Sequence, residues 1–519
     1  MKKVSILWTD DEIDLLKPHI IFLEGKGYKV STASNGDDAI MLVKENAFDL
    51  VFLDENMPGK SGLETLSVIK TLQPSLPVVM ITKSEEEDIM DAAIGSKIAD
   101  YLIKPVNPNQ ILLTIKKNID TKKLITRETT SAYQSEFSKI SIDISMANTF
   151  NDWVGVYQKL LYWELELERS EDQSMGEVLR MQKTEANTEF GKFIRNNYFN
   201  WFENETSDRP LMSPGVLTHS VIPELEKGTK TVFILVDNLR YDQWKVIQPE
   251  ISDFYTVHSE ETFCSILPTA TQYARNSIFS GMMPSDIAER YPDLWLNDDD
   301  EGGKNQYEEE LLSSYLKRLG LNVKYSYAKI SSNKAGIKLV DNIKDVLQND
   351  FVTIIYNFVD MLSHANTDVE MIRELASTDS AYRSLTLSWF KHSHLYELLR
   401  TLSHQNITVV LTTDHGTIRV NKPLKVVGDR STSKNLRYKT GKNLSYNPKE
   451  VFEVRNPSKV YLPKTNMSSK YIFAYGDTFL AYPNNYNYFV NYYTNTYQHG
   501  GISLEEMVLP LVTLKPKQV

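Results

Sequence analysis

Six side chains of metal-ligand type are spread through the C-terminal part of the chain: Asp237, Asp360, His364, Asp414, His415 and His499. Three of the acids close strongly apolar runs, "TVFILVD", "VTIIYNFVD" and "TVVLTTD". An acid at the end of a buried strand stands where open α/β sheets collect their ligands. His364 follows Asp360 by four residues, which puts both on one face if a helix begins there. Aspartate and histidine without cysteine suit Zn²⁺, and six such residues suffice for two cations with open positions. Two cations about 3.5 to 4 Å apart clamp the attacking and leaving oxygens of a phosphoryl transfer. Such a transfer also needs a nucleophile. The segment "LPTATQYARNSIFSG" offers Thr269 and Thr271 ahead of a predicted helix that Gly281 ends. Taken alone, Thr271 reads first as a helix N-cap. A hydroxyl there also faces the positive end of the helix dipole, and a neighbouring cation would lower its pKa toward an alkoxide. The two roles are compatible.

A second constellation lies near the N-terminus: Asp10 and Asp11 after "KVSILW", Asp54 closing "DLVFLD", Thr82 closing "PVVMIT", and Lys104 after "DYLI". Three converging carboxylates repel one another unless a cation sits among them, and hard oxygen ligands suit Mg²⁺. Lys104 can pair with Asp54 or with a phosphoryl group placed on it, and Thr82 can hydrogen-bond the new oxygens.

The elements that must hold these residues follow from the hydrophobic pattern. Short apolar runs alternate with helix-length segments over the first hundred or so residues, which predicts a right-handed parallel α/β sheet. From about Leu124 the strand signals stop. "NDWVGVYQKLLYWELELERS" sets Trp153, Tyr157, Leu160, Leu161 and Leu165 at helical spacing, and a further helix is predicted through "EANTEFGKFIRNNYFNWF". Phe190, Phe193, Phe199 and Trp201 in that second helix read as core. "TSDRPLMSPG" then reads as a linker. The chain is thus expected to be a multidomain α/β protein, with a (βα)5 domain over 1–122, a helical bundle over 123–206 and an α/β domain over 207–519. The bundle is expected to transmit the state of the first domain or to form a dimer contact.

A length of 519 residues agrees with several cores. The single cysteine, Cys264, excludes an intramolecular disulfide framework and fits a reducing compartment. The apolar stretch of "MKKVSILWTDDE" meets Asp10 and Asp11 too soon for a signal-peptide core, and no apolar run approaches the length of a membrane span. A cytoplasmic protein is expected. The net charge of −11 argues against a surface devoted to nucleic acid. A local exception is the segment from Arg419 to Lys442, with eight Lys or Arg and one acid, which reads equally as a solvated loop or as a contact for flanking phosphates. Six tyrosines between Tyr482 and Tyr497 could stack bases, but strand packing is the stronger expectation.

With these residues in view, positions 1–122 resemble a response-regulator receiver domain, through "WTDDE", "DENMPG", "MITKS" and "DYLIKP". The resemblance implies Asp54 as phosphoacceptor for a sensor histidine kinase, and Thr82, Tyr101 and Lys104 as the switch residues. It implies Mg²⁺ held by Asp11, Asp54 and the backbone carbonyl of Asn56, with Asp10 helping through water. Trp8 departs from the small aliphatic residue usual at its position. Residues 207–519 resemble the alkaline-phosphatase superfamily, and "PTATQYARNSIFSG" its PglZ branch. That resemblance implies one zinc on Asp237, Thr271, Asp414 and His415, a second on Asp360, His364 and His499, and Thr271 as the nucleophile. A threonine nucleophile leans toward phosphodiesters, expected to be cyclic or linear nucleotides. The order of the three parts resembles response regulators associated with type IX secretion. It implies a phosphorylation-dependent homodimer, no membrane partner, and, as the alternative to catalysis, a zinc-containing scaffold that binds a partner protein such as a sigma factor.

Overall fold

A computed structural model describes residues 4–517 except 84–97, 170–173, 204–207, 299, 301, 406, 429–431 and 465–467, with 120–128 and 174 described by their backbone alone. The chain divides into two compact units. The first comprises Met1–Ser135 and Arg169–Gln173. Its sheet is built from β1 (Ser5–Thr9), β2 (Lys29–Ala33), β3 (Leu50–Asp54), β4 (Val78–Thr82) and β5 (Asp100–Ile103), in the order β2-β1-β3-β4-β5 and parallel throughout. β3 and β4 are buried at every position, as expected of central strands covered on both faces, and this accounts for their unbroken apolar sequence. Helix Gly62–Leu72 starts with a capping box between Ser61 and Glu64. Trp8 is fully buried and packs on Phe52 at 5.2 Å between ring centroids, so the large residue ahead of the acid pair is absorbed by the core.

The second unit comprises Glu136–Glu168 and Ser174–Val519. Its main sheet contains β6 (Thr231–Val236), β7 (Tyr255–Cys264), β8 (Tyr325–Ile330), β9 (Phe351–Tyr356) and β10 (Thr408–Thr412). After β10 come the short strands β11 (Ile418–Val420), β12 (Lys422–Lys425), β13 (Tyr438–Gly441), β14 (Val451–Val454), β15 (Lys470–Ala474), β16 (Thr478–Ala481) and β17 (Thr496–Gln498). β18 (Val508–Pro516) completes the main sheet, whose order is β7-β18-β10-β6-β9-β8. The strands β10, β6, β9 and β8 run parallel, and β18 lies antiparallel between β10 and β7. The ends of β10, β6 and β9 therefore stand side by side, and they are the three strands that lead to the acids.

Helices Phe150–Glu168 and Ser174–Asn197 pack within this same unit. Trp153, Tyr157, Leu160 and Leu161 are buried on one face of the first, while Leu165 is half-buried and Leu167 takes its place in the core. Phe190, Phe193 and Trp201 are buried and Phe199 is half-buried. Polar contacts tie these helices to helices and a loop that flank the main sheet: Asn187 donates to Glu505 Oε2 at 3.0 Å, Gln158 donates to the Tyr241 hydroxyl at 2.9 Å, and the Tyr198 hydroxyl accepts from the Leu267 backbone N–H at 2.8 Å. Buried Arg383 reaches Glu164 at 3.2 Å and Asp242 at 2.6 Å, and also contacts Glu168.

Four of the six tyrosines depart from the strand expectation, while Tyr497 is buried in β17. Tyr486–Tyr493 is a helix with none of its residues fully buried, and Tyr488 is 64% exposed. Tyr486, Val490 and Tyr493 pack against Ile418 and Phe479, and their spacing of four and three residues is the helical period. Among the described residues no helix is long and apolar enough to cross a membrane.

Candidate metal centres

Asp237 follows β6 directly, Asp414 stands two residues beyond β10, and Asp360 lies in helix Phe358–Asp368, which follows β9. Ligand atoms of Asp237, Asp414 and His415 all lie within 4.8 Å of one another, and so do those of Asp360, His364 and His499. The helix begins before Asp360, so Asp360 and His364 share one of its faces, with Oδ2 3.5 Å from Nε2. The β11–β17 pairing sets Ile418 opposite Gln498 and so returns His499 to the Asp414–His415 turn. There the rings of His415 and His499 stack at 4.2 Å, which makes the two clusters neighbours. Asn238, in the left-handed region at φ 64°, bridges them. Its backbone N–H donates to Asp414 Oδ1 at 3.3 Å and its amide donates to Asp360 Oδ1 at 3.4 Å.

Thr271 is the first residue of helix Thr271–Ser280, and Ala270 occupies the capping position without a side-chain cap. The N-cap reading of Thr271 is therefore replaced: its Oγ1 lies 3.0 Å from His415 Nε2. His415 Nδ1 sits 3.2 Å from the Gly416 carbonyl, to which it donates, and this leaves the Nε2 lone pair facing Thr271. His499 repeats the device, with Nδ1 donating to the Thr269 carbonyl at 3.2 Å and Nε2 turned toward Asp360 Oδ1 at 3.9 Å. Thr269 thus orients a histidine. Its own hydroxyl donates to the Gly501 carbonyl at 2.9 Å and accepts from the Gly500 N–H at 3.0 Å.

The donor set fits cations. Burial, reinforced by the neighbouring histidines, holds the His499 pKa well below its usual value, so the ring is neutral as a metal ligand must be. Asp237 Oδ1 is buried without a hydrogen-bond partner. Burial and the Asp414 and Asp360 carboxylates push the Asp237 pKa up against the pull of Arg275, which is the penalty a bound cation removes.

Arg275 and Asn238 were not singled out from sequence. Arg275 is fully buried, with Nε donating to Asp414 Oδ2 at 2.9 Å, Nη2 on Asp237 and Nη1 3.4 Å from Glu308. Its position four residues after Thr271 on a predicted helix was the available signal. The basic segment is only partly a surface feature. Arg437 is buried on Glu506 at 2.6 Å, Lys439 is buried, Lys422 pairs with Asp477 at 3.0 Å, and residues 429–431 lie outside the described residues.

In the first unit, ligand atoms of Asp10, Asp11 and Asp54 also lie within 4.8 Å of one another. Lys104 Nζ sits 2.8 Å from Asp10 and 3.0 Å from Asp54. Burial raises the Asp54 pKa, Lys104 opposes the shift, and Asp10 and Asp11 add to it. Thr82 is buried at the end of β4, Tyr101 is half-buried in β5, and Asn56 is exposed two residues past Asp54.

Comparison with known proteins finds three family matches along the chain. Residues 216–514 match the family of the BREX system PglZ alkaline phosphatase-like domain, and the chain belongs to that family. Residues 6–116 match the response regulator receiver domain and residues 123–202 the PorX response regulator linker domain, so the three together match a PorX-like response regulator carrying a PglZ domain. The transcriptional regulatory protein ZraR of Klebsiella oxytoca is 34% identical over 151 residues, covering 29% of this chain and 34% of ZraR. The alginate biosynthesis transcriptional regulatory protein AlgB of Pseudomonas aeruginosa is 34% identical over 126 residues, covering 24% of this chain and 28% of its own. The chain thus spans about a third of the length of these relatives. Among solved structures, a CheY-like receiver domain from Methanospirillum hungatei JF-1 is 27% identical, covering 23% of this chain and 96% of its own with a TM-score of 0.23. A receiver domain from Clostridium thermocellum is 32% identical, covering 23% and 98% with a TM-score of 0.22.

Proposed function

We propose that this chain is a two-component response regulator whose output is a zinc-dependent phosphodiesterase acting on cyclic or linear nucleotides through Thr271. The observation that carries the reading is the meeting of two ligand clusters with one hydroxyl, Thr271 Oγ1, 3.0 Å from a histidine nitrogen. Asp237, Thr271, Asp414 and His415 would hold one Zn²⁺ and Asp360, His364 and His499 the other, and the pair would supply Lewis-acid stabilisation of the charge that develops on phosphoryl oxygens. Thr271 Oγ attacks phosphorus. The Oγ proton passes to solvent as the bond from Oγ to phosphorus forms, the bond to one ester oxygen breaks, and the departing alkoxide takes a proton back from solvent. Water then cleaves the phosphothreonine and restores the hydroxyl. His415, fixed by its Nδ1 hydrogen bond to Gly416, keeps Nε2 on the side of the nucleophile. Asn238 holds Asp360 and Asp414 at their present spacing.

Input comes from a sensor histidine kinase that phosphorylates Asp54, with Mg²⁺ that Asp11, Asp54 and the Asn56 carbonyl would hold and Asp10 would support through water. Thr82, Tyr101 and Lys104 read the new phosphoryl group, and the modified receiver shifts a monomer–dimer balance. A cytoplasmic role in the regulation of type IX secretion is part of this proposal and is supported by the resemblance in domain order. The test is Thr271→Ala assayed on a chromogenic phosphodiester. Hydrolysis is expected to fall by about 10³-fold or more with zinc content and fold retained. Unchanged turnover removes Thr271 as the nucleophile.

A further inference from the structure

The guanidinium of Arg275 touches Asp237 and Asp414, two of the residues that would hold one cation. It is fully buried, and each of its three nitrogens faces a different acid: Nε faces Asp414, Nη2 faces Asp237 and Nη1 faces Glu308. The acids come from three separate elements, the end of β6, the turn after β10 and the start of helix Glu308–Arg318. Glu308 is held in turn by Lys329 Nζ at 3.1 Å and by the Tyr327 hydroxyl. Arg275 itself stands on the helix that starts with Thr271, one helical turn further along and on the same face.

Buried carboxylates this close together repel strongly and destabilise the fold unless a positive charge stands among them. Arg275 supplies such a charge whether or not a metal is bound. It uses Asp237 Oδ2 and leaves Oδ1 of that carboxylate without a hydrogen-bond partner, 3.9 Å from His415 Nε2. The guanidinium therefore grips the carboxylate from one side and keeps the ligand oxygen free on the other.

Resting on the metal reading above, we propose that Arg275 is a resident counter-cation, a positioning residue that keeps the Asp237–Asp414–His415 cluster and the Thr271 helix assembled when zinc is absent. The consequence is a centre that can lose and regain its cation without collapsing. Lysine cannot serve equally well, because a single ammonium cannot present a planar fork to three carboxylates. The metal-free protein leans on Arg275 more than the metal-loaded protein does, so removing the guanidinium makes the fold more dependent on zinc.

The test is the thermal midpoint of the full chain, measured in EDTA and in excess Zn²⁺ for wild type, Arg275→Gln and Arg275→Lys. The zinc-dependent rise in Tm is expected to be about twofold larger in Arg275→Gln than in wild type, with Arg275→Lys between them. A variant recovered folded only from zinc-supplemented culture supports the inference in its extreme form. If Arg275→Gln is unfolded with and without zinc, Arg275→Lys against wild type decides by the same comparison. Equal or smaller zinc-dependent rises in the variants overturn the inference and leave the metal reading standing. A wild-type chain that binds no zinc and shows no rise overturns the metal reading and the inference with it.

Discussion

Lys439 offers a test in which the sign and size of an effect follow from one buried charge. The residue lies in β13 at 1% exposure, its Nζ donating to the Ser433 carbonyl at 3.1 Å and standing 4.3 Å from the centroid of the Tyr482 ring. Burial pushes its pKa from 10.5 down to about 7. Between those two values the unfolded chain carries a proton that the folded chain lacks, so unfolding takes up a proton and stability rises with pH across the window. Each pH unit well inside it is worth about 1.4 kcal/mol, and the rise from pH 7 to pH 9 is roughly 2 kcal/mol. Lys439→Met keeps the bulk of the side chain and removes the titration. Urea unfolding of wild type and variant in EDTA, at pH 7, 8 and 9, cancels the other titrating groups in the difference. The variant is expected to be the more stable at pH 7, with its advantage shrinking by roughly 2 kcal/mol at pH 9. An advantage that stays constant over this range refutes the reasoning. The same variant bears on the basic segment, since an amine buried at 1% exposure does not reach a phosphate in solvent. Its KM for a phosphodiester is expected to match that of wild type, and a rise of about tenfold would return Lys439 to substrate contact.

Other expectations follow from the same physics. Arg383→Ala takes a cationic partner from Glu168, while Asp242 keeps Arg240 and Glu164 keeps Lys183 at 2.6 Å, and it is expected to lower the stability of the second unit by about 1.5–3 kcal/mol, measured as a fall in its urea midpoint. A loss under about 1 kcal/mol would show that these acids find other partners. A phosphate mimic at Asp54 is expected to change the monomer–dimer balance, and identical sedimentation of mimic and unmodified chain over a wide concentration range counts against that route.

Much of this arrangement is legible in sequence because two signals coincide. The runs "TVFILV", "TIIY" and "TVVLT" are apolar but for their threonines and buried throughout, as strands covered on both faces are, and each leads into an acid. The adjacency of β10, β6 and β9 then brings those acids to one edge. Arg275 was hidden because helix Thr271–Ser280 is buried on every side beyond its first residue, which removes the amphipathic contrast that separates core from surface. Asn238 was hidden because its role depends on a left-handed turn and on partners more than a hundred residues away. The tyrosine segment misleads through composition, since aromatic enrichment suggests a strand while Tyr486, Val490 and Tyr493 already show the helical interval. The strand signals stop near residue 120 in the sequence while the first unit runs on to Ser135, and the membership of helices Phe150–Glu168 and Ser174–Asn197 in the C-terminal unit depends on long-range pairs such as Asn187 with Glu505.

The most direct measurement is anomalous diffraction at the zinc absorption edge from crystals of the full chain grown with Zn²⁺. Two peaks are predicted, one among Asp237, Thr271, Asp414 and His415 and the other among Asp360, His364 and His499. Crystals grown in the same zinc concentration with no peak at either cluster, or with peaks only at exposed histidines such as His219 and His258, would contradict the account.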